Sequence, residues 1–190
     1  HNTGLENFRF EKLDEEIKEE LIQLKLEKST FTTVVSPILK SEWGRHGKDN
    51  VFFEVRTNKG QESGPLHKVA SGGELGRYLL ALRVVLTKGI QAPILVFDEV
   101  DRGIGGATAD AVGERLARLG ASGQVLVVTH SPQVAARASN HWRIEKYESG
   151  ESSLTRIIEL NYEDRCEEVA RMISGATITD EARAAASKLM

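Results

Sequence analysis

Ser71-Gly72-Gly73-Glu74-Leu75-Gly76-Arg77 decides how the rest of this 190-residue chain is read. A serine three residues ahead of a glutamate has capping-box spacing. The Ser71 hydroxyl can accept the Glu74 backbone N–H, and the Glu74 carboxylate can reach back. Leu75, Leu79, Leu82 and Leu86 follow at intervals of four, three and four. They predict a helix that opens at Ser71, packs this face into a core and ends by Gly89. About twenty residues after the turn comes the apolar run Ile94-Leu95-Val96-Phe97, closed by Asp98-Glu99. A run of this kind fits a strand covered on both faces. Gly103–Gly106 makes a flexible turn, and Val112, Leu116 and Leu119 mark a second helix ending near Gly120. A second buried strand, Gln124–Thr129, leads into His130. Strand, helix, strand implies a parallel pair with a right-handed crossover. Ligands of such sheets lie outside the carboxyl ends of the strands, where Asp98, Glu99 and His130 fall.

On the N-terminal side, Phe10, Leu13, Ile17, Leu21 and Leu24 recur at helical spacing beside an acidic face that runs from Glu11 to Glu20. The pattern fits an ordinary amphipathic helix or the last heptads of a coiled coil, and two heptads do not separate the two. Thr30–Val35 and Val51–Val55 read as strands, the second alternating with a period of two, and they are expected to be antiparallel neighbours. Glu42–Asn50 reads as a loop, and Asn58–Lys68 as an ordered loop feeding the glycine turn. After His130, Pro132–Ala138 reads as a short helix and Trp142–Tyr147 with Ser153–Leu160 as a hairpin. Tyr162–Ile173 and Asp180–Leu189 read as terminal helices.

Composition narrows the function classes. The net charge is −3, so any nucleic-acid binding needs a local patch or a part of the protein outside this chain. No apolar run approaches the roughly 18 residues of a membrane span. One cysteine, Cys166, excludes an internal disulfide and fits a reducing compartment. With that single cysteine and no paired spacing among His46, His67 and His141, a zinc site is not expected. There is no Gly-x-Ser-x-Gly elbow, so a hydrolase triad is not expected either. The chain begins at His1 rather than Met, which points to a piece of a longer protein, with residues 1–7 as candidates for added sequence.

Each candidate site residue has a plain and a functional reading. The start of a helix presents unpaired N–H groups and a partial positive charge, and two glycines let an anion approach the backbone. The same turn also serves as a simple cap. An acid at a strand end can hold Mg²⁺ as phosphoryl-transfer sites do, and its neighbour can polarise water as a general base. Two solvated acids are the alternative. His130 can donate a hydrogen bond to a phosphoryl group or play a structural part. Their order along the chain, with two of the three motifs at the carboxyl ends of a parallel pair, favours a nucleotide-hydrolysing site. The Gly-x-x-x-x-Gly-Lys-Ser/Thr loop that would cradle the phosphates is missing, so only part of such a site is present.

These motifs resemble those of ABC-type (P-loop NTPase) ATPase heads. Ser71-Gly72-Gly73-Glu74 matches the signature, Ile94–Glu99 the Walker B strand with its catalytic acid, Asp101 the D-loop and His130 the switch histidine. Three longer stretches resemble the RecN family of bacterial DNA-repair ATPases related to SMC proteins. They are Val69–Leu75, Phe97-Asp98-Glu99-Val100-Asp101-Arg102-Gly103-Ile104-Gly105-Gly106, and Val128-Thr129-His130-Ser131-Pro132-Gln133-Val134-Ala135-Ala136. Gly76 stands where the signature more often has serine, and Arg102 where threonine is more usual.

The resemblance implies an α/β C-terminal head lobe over 29–190, with a coiled-coil stub over 1–28 and a small helical C-terminal end. It implies ATP and Mg²⁺ as cofactors, with Asp98 organising the metal and Glu99 activating water. His130 would meet the γ-phosphate of its own head. Ser71, Gly72, Gly73 and Glu74 would form the signature turn facing the ATP of a second head, and Asp101 would line the seam between heads. The implied partners are an N-terminal Walker A lobe of the same protein, a second head in an ATP-dependent homodimer, and DNA through the full-length protein. No membrane is implied, and the setting is cytoplasmic and nucleoid-associated. The isolated chain is expected to be inactive. The alternatives are a non-hydrolysing scaffold lobe and a transporter ATPase fragment.

Overall fold

A computed structural model describes residues 3–45, 47–69, 71–87, 94–98, 100–149 and 152–190. The chain divides into two compact units, His1–Ala92 and Pro93–Met190.

In the first unit, helix α1 (Thr3–Gln23) packs on strand β1 (Thr30–Pro37) and helix α3 (Gly72–Leu86). Its expected apolar stripe faces inward, and Ile17, Leu21 and Leu24 are buried. The Asp14 carboxylate accepts the Thr33 N–H at 3.0 Å and the Thr33 hydroxyl at 2.7 Å, tying α1 to β1. Past the helix, Lys25 takes φ +59°, a left-handed conformation disfavoured for a residue with a Cβ.

Strand β1 pairs antiparallel with β2 (Asp49–Arg56) from Thr30↔Arg56 to Pro37↔Asp49, as the sequence predicts. The segment read as a loop over Asn58–Lys68 contains more structure than expected. Gly64–Pro65 (β3) pairs antiparallel with Glu54 and Val55, and Leu66–Val69 forms helix α2. Two-residue strands and one-turn helices leave no periodicity for a sequence to display.

Helix α3 corrects one expectation. Its buried face is Tyr78, Ala81, Leu82 and Val85, with Arg77 and Leu80 beside it. Of the stripe Leu75, Leu79, Leu82 and Leu86, only Leu82 is buried, and Leu79 and Leu86 are exposed. The helix is apolar nearly all round from Tyr78 to Leu86, so spacing alone offers two stripes and cannot choose between them.

In the second unit, β4 (Ile94–Asp98) and β5 (Gln124–Val128) are parallel, in register from Ile94↔Gln124 to Asp98↔Val128, with α4 (Gly106–Gly120) between them in sequence. The expectation of cover on both faces fails. Phe97 is buried, but Ile94, Val96 and Val128 are 52, 67 and 51% exposed. Helix α4 packs against the pair, through β5, and the apolar residues that point away from it stay open.

Helix α5 (Pro132–Ala136) follows, then the antiparallel hairpin β6 (Trp142–Ser149) and β7 (Ser152–Glu159). Helices α6 (Tyr162–Ser174) and α7 (Asp180–Leu189) close the unit around Ala136, Val169, Ala170, Ala182 and Ala186, small side chains that allow close approach. Among the described residues, no helix is long and apolar enough to cross a membrane.

Candidate functional site

The predicted residues fall into two sets, one in each unit. The first set sits at the start of α3. Ser71 is its N-cap with extended backbone, and the capping box forms as expected. The Glu74 N–H approaches the Ser71 hydroxyl at 3.4 Å. In return the Ser71 N–H and hydroxyl donate to the Glu74 carboxylate at 3.0 and 2.8 Å. A Cβ built at Gly72 would meet nothing within 4 Å, so the backbone of the turn is open to an incoming group.

One turn further on, Arg77 is buried and holds this helix start in place. Its Nε–H donates to the Gly73 carbonyl at 3.3 Å. Its Nη1 donates to the Leu24 and Lys25 carbonyls at 2.9 and 3.2 Å, at the end of α1. Burial pushes the guanidinium below its ordinary range, and the nearby Glu74 charge opposes that shift.

The second set sits at the carboxyl edge of the parallel pair. Asp98 ends β4 opposite Val128, its side chain exposed and without an ion pair among the described residues. Glu99, expected as the catalytic acid, lies outside the described residues. His130 follows β5 by two residues and is exposed.

Asp101, which the resemblance would set along a seam between heads, is buried within its own unit. Its side chain is 1% exposed and accepts a hydrogen bond from the Thr129 hydroxyl. That hydroxyl in turn accepts the Ser131 N–H at 2.9 Å, and the Ser131 hydroxyl donates to Gln133 Oε1 at 2.9 Å. The Asp101 carbonyl accepts the Ile104 N–H at 3.3 Å across a turn in which Gly103 takes φ +73°. Glycine supplies that left-handed angle without steric cost.

The parallel register thus brings Asp98, Asp101 and His130 to one edge of the second unit, while Ser71, Gly72, Gly73 and Glu74 share one helix start in the first. The sequence pattern alone assigns no role to Thr129 or Arg77. Thr129 stands directly before His130, but its partner is 28 residues away. The partners of Arg77 are backbone carbonyls, which leave no mark in a sequence. Among the described residues, no three His, Cys, Asp or Glu side chains group closely enough to hold a metal by themselves.

No family model matches the chain. Individual relatives do. The chain is 42% identical over 179 residues to the DNA repair protein RecN of Rickettsia bellii, covering 94% of this chain and 32% of the relative. It is 48% identical over 145 residues to that of Xylella fastidiosa, covering 76% and 26%. It is also 48% identical over 137 residues to that of Deinococcus radiodurans, covering 72% and 24%.

The chain belongs to the RecN family.

It spans about a third of the length of the Rickettsia relatives it matches. Its fold matches SMC head domains. An SMC head with coiled coil and joint from Pyrococcus yayanosii superposes with TM-score 0.63 at 18% identity, over 86% of this chain and 29% of that one. A chain solved in work on ATP-driven dimerization and DNA-stimulated activation of SMC ATPases gives 0.59 at 17% identity, over 92% and 99%. At these identities the structural likeness speaks to fold alone, and the mixed α/β architecture agrees with it.

Proposed function

We propose that this chain is the C-terminal lobe of a RecN-type, SMC-like ATPase head. With an N-terminal lobe of the same protein carrying the phosphate-cradling loop, it binds and hydrolyses ATP. Nucleotide binding drives two such heads together during DNA double-strand-break repair, in the cytoplasm and on the nucleoid. The observation that carries this reading is the parallel register, Asp98↔Val128, which sets an exposed carboxylate and an exposed histidine at the ends of neighbouring strands. Residues 29–190 form the lobe. Residues 1–28 form the base of a coiled-coil arm, joined to the lobe where α1 packs on β1 and α3.

The residues fit Mg²⁺ in the way nucleotide sites use it. Mg²⁺ is held by one or two carboxylates together with phosphates and waters rather than by a protein cage. Asp98 offers one exposed carboxylate with no ion-pair partner among the described residues, and no cage surrounds it. Bound Mg²⁺–ATP supplies the phosphoryl group and neutralises its charge. Asp98 would hold the metal, Glu99 would take a proton from the attacking water, and His130 would donate to the γ-phosphate of its own head.

Ser71, Gly72 and Gly73 would turn backbone N–H groups and the positive helix end toward the γ-phosphate of the opposite head. Glu74 keeps that turn in shape through the capping box. A triphosphate would then bridge two heads, and its hydrolysis would part them.

The test is Mg²⁺-ATP turnover by this chain alone and mixed with the N-terminal lobe. We expect silence alone and turnover on mixing. Turnover by the chain alone, or none in a verified complex of the two lobes, overturns the reading. In the full-length protein, Glu99→Gln is expected to keep nucleotide-dependent dimerisation while lowering turnover about 10²- to 10⁴-fold. Ser71→Arg is expected to leave ATP bound to each head and abolish dimerisation in sedimentation velocity.

A further inference from the structure

We propose that Asp101 is a positioning residue that fixes His130 through the Thr129 hydroxyl. The inference rests on the reading of His130 as the group that meets the nucleotide, and it adds two residues to that site.

A buried carboxylate is costly unless it is hydrogen-bonded. Asp101 is 1% exposed, and its hydrogen-bonding side-chain partner is the hydroxyl of Thr129, 28 residues along the chain. A hydrogen bond to an ionised acceptor is about twice as strong as a neutral one. It therefore determines how the hydroxyl is used. The single proton goes to Asp101, which leaves the oxygen lone pairs free for the Ser131 N–H at 2.9 Å.

One oxygen thus holds the residue before His130 by its side chain and the residue after it by its backbone. His130 is the residue in between, exposed and carried on a peptide pinned on both sides. The pinning continues downstream. The Ser131 hydroxyl donates to Gln133, and α5 lies so close to α4 that a Cβ at Gly113 would come within 3.1 Å of the Gln133 carbonyl.

Upstream, the Asp101 carbonyl closes the turn at Ile104, immediately beyond the strand that carries Asp98. The two strand ends are therefore clasped to one another through buried Asp101 and Ser131 and half-buried Thr129. The other carboxylate oxygen, Oδ1, is buried and has no hydrogen-bond partner among the described residues. Holding the imidazole in place before nucleotide arrives is preorganisation, and its loss appears in the chemical step rather than in binding.

The experiment uses the full-length protein. Thr129→Val removes the hydroxyl while keeping the shape, and Thr129→Ser keeps the hydroxyl. We expect Thr129→Val to lower kcat for Mg²⁺-ATP about 10- to 100-fold with KM changed less than about twofold, and Thr129→Ser to recover most of the loss. In a His130→Ala background, adding Thr129→Val should change kcat less than about twofold, because residues acting as one unit do not give multiplying losses. Multiplying losses, a rise in KM without loss of kcat, or no rescue by serine overturns the proposal.

A second readout needs no turnover. In nucleotide-free protein labelled at histidine rings, the His130 resonances should be one sharp set in the parent and Thr129→Ser, and shifted or broadened in Thr129→Val and Asp101→Ala. Unchanged ring resonances in a folded Thr129→Val protein also overturn it. If the parent shows no ATP turnover, the ATPase reading fails, and the ring resonances still decide the clasp.

Discussion

The start of α3 and the ends of β4 and β5 each hold one set of the candidate residues, but they are built differently. At α3 the shaping contacts are local. Ser71 and Glu74 close on each other three residues apart, and Arg77 reaches back four residues to Gly73. Two contacts, from Arg77 to the Leu24 and Lys25 carbonyls at the end of α1, join residues far apart in sequence. At the strand ends the order is reversed. The register of two strands and the clasp between Asp101 and Thr129 set the geometry, and both join residues about 30 positions apart. A local site keeps its shape as long as its helix exists. A non-local site keeps its shape only while the surrounding unit is folded.

Two substitutions break this contrast with the largest effects. The two tryptophans report the units separately, since Trp43 lies in the first and Trp142 in the second. Arg77→Ala deletes the two long-range hydrogen bonds from the α3 start to the end of α1 and leaves the buried Leu24 carbonyl without its donor. We expect a loss of about 2–3 kcal/mol, read from urea unfolding by Trp43 fluorescence in a Trp142→Phe background. Arg77→Lys should recover less than half, because an ammonium cannot reproduce the fork of donors. Full recovery by lysine would mean that charge, not the two carbonyl contacts, is what matters.

Gly113→Val attacks the other region through its packing. A Cβ there would sit 3.1 Å from Arg137 Cγ and the Gln133 carbonyl and 3.2 Å from Val134 Cα, so the larger side chain must push α5 away from α4. A cost of about 2 kcal/mol is expected, read through Trp142 in a Trp43→Phe background, with the Trp43 transition unmoved. A shift of both transitions together would show that the units unfold as one.

The same contrast explains what the sequence disclosed. The capping box was legible because Ser71 and Glu74 are both its letters and its bonding partners. The parallel pair was legible because two apolar runs flank a helical pattern, and Asp98 and His130 fall at the ends by simple counting. The buried state of Asp101 was not legible. It stands three residues beyond Asp98 in a polar, glycine-rich turn, and only the fold brings Thr129 to it. The α3 stripe is not legible because that helix has apolar residues on two faces, and the fold that packs α1 against it selects Tyr78, Ala81, Leu82 and Val85. The open face of Ile94, Val96 and Val128 escaped notice because an apolar run tells that a strand expects cover without telling what chain provides it.

A smaller effect sharpens the local side. Ser71→Ala removes the cap oxygen and should cost about 1 kcal/mol, while Ser71→Gly should cost only a few tenths. Both are read by Trp43 fluorescence. If the strand-end region is independent of this turn, the Trp142 transition stays where it is in both variants. A matching shift there would weaken the division into a local and a non-local site.

The smallest expected effect depends on pH and belongs to the second unit. Burial lowers the pKa of His141 below its ordinary value, against the nearby Glu168 charge. A hydrogen bond from Arg171 holds the buried Glu168 carboxyl below its ordinary range, against burial. In both cases the unfolded chain binds protons more readily than the folded one, so stability falls as pH falls. The His141 contribution is complete above an ordinary imidazole pKa of about 6.5 and is lost as pH drops through that value toward the lower folded one. The Glu168 contribution is complete above about 4.3 and is lost below it in the same way. The Trp142 unfolding midpoint should therefore step down twice on acidification. His141→Gln should flatten the upper step and leave the lower one, and Glu168→Gln should do the reverse. The Arg77 contacts remain charged across this range, so the Trp43 midpoint should lack the upper step. An upper step that survives His141→Gln would mean that another group titrates there, and the non-local region would then owe its acid sensitivity to something other than the base of the hairpin.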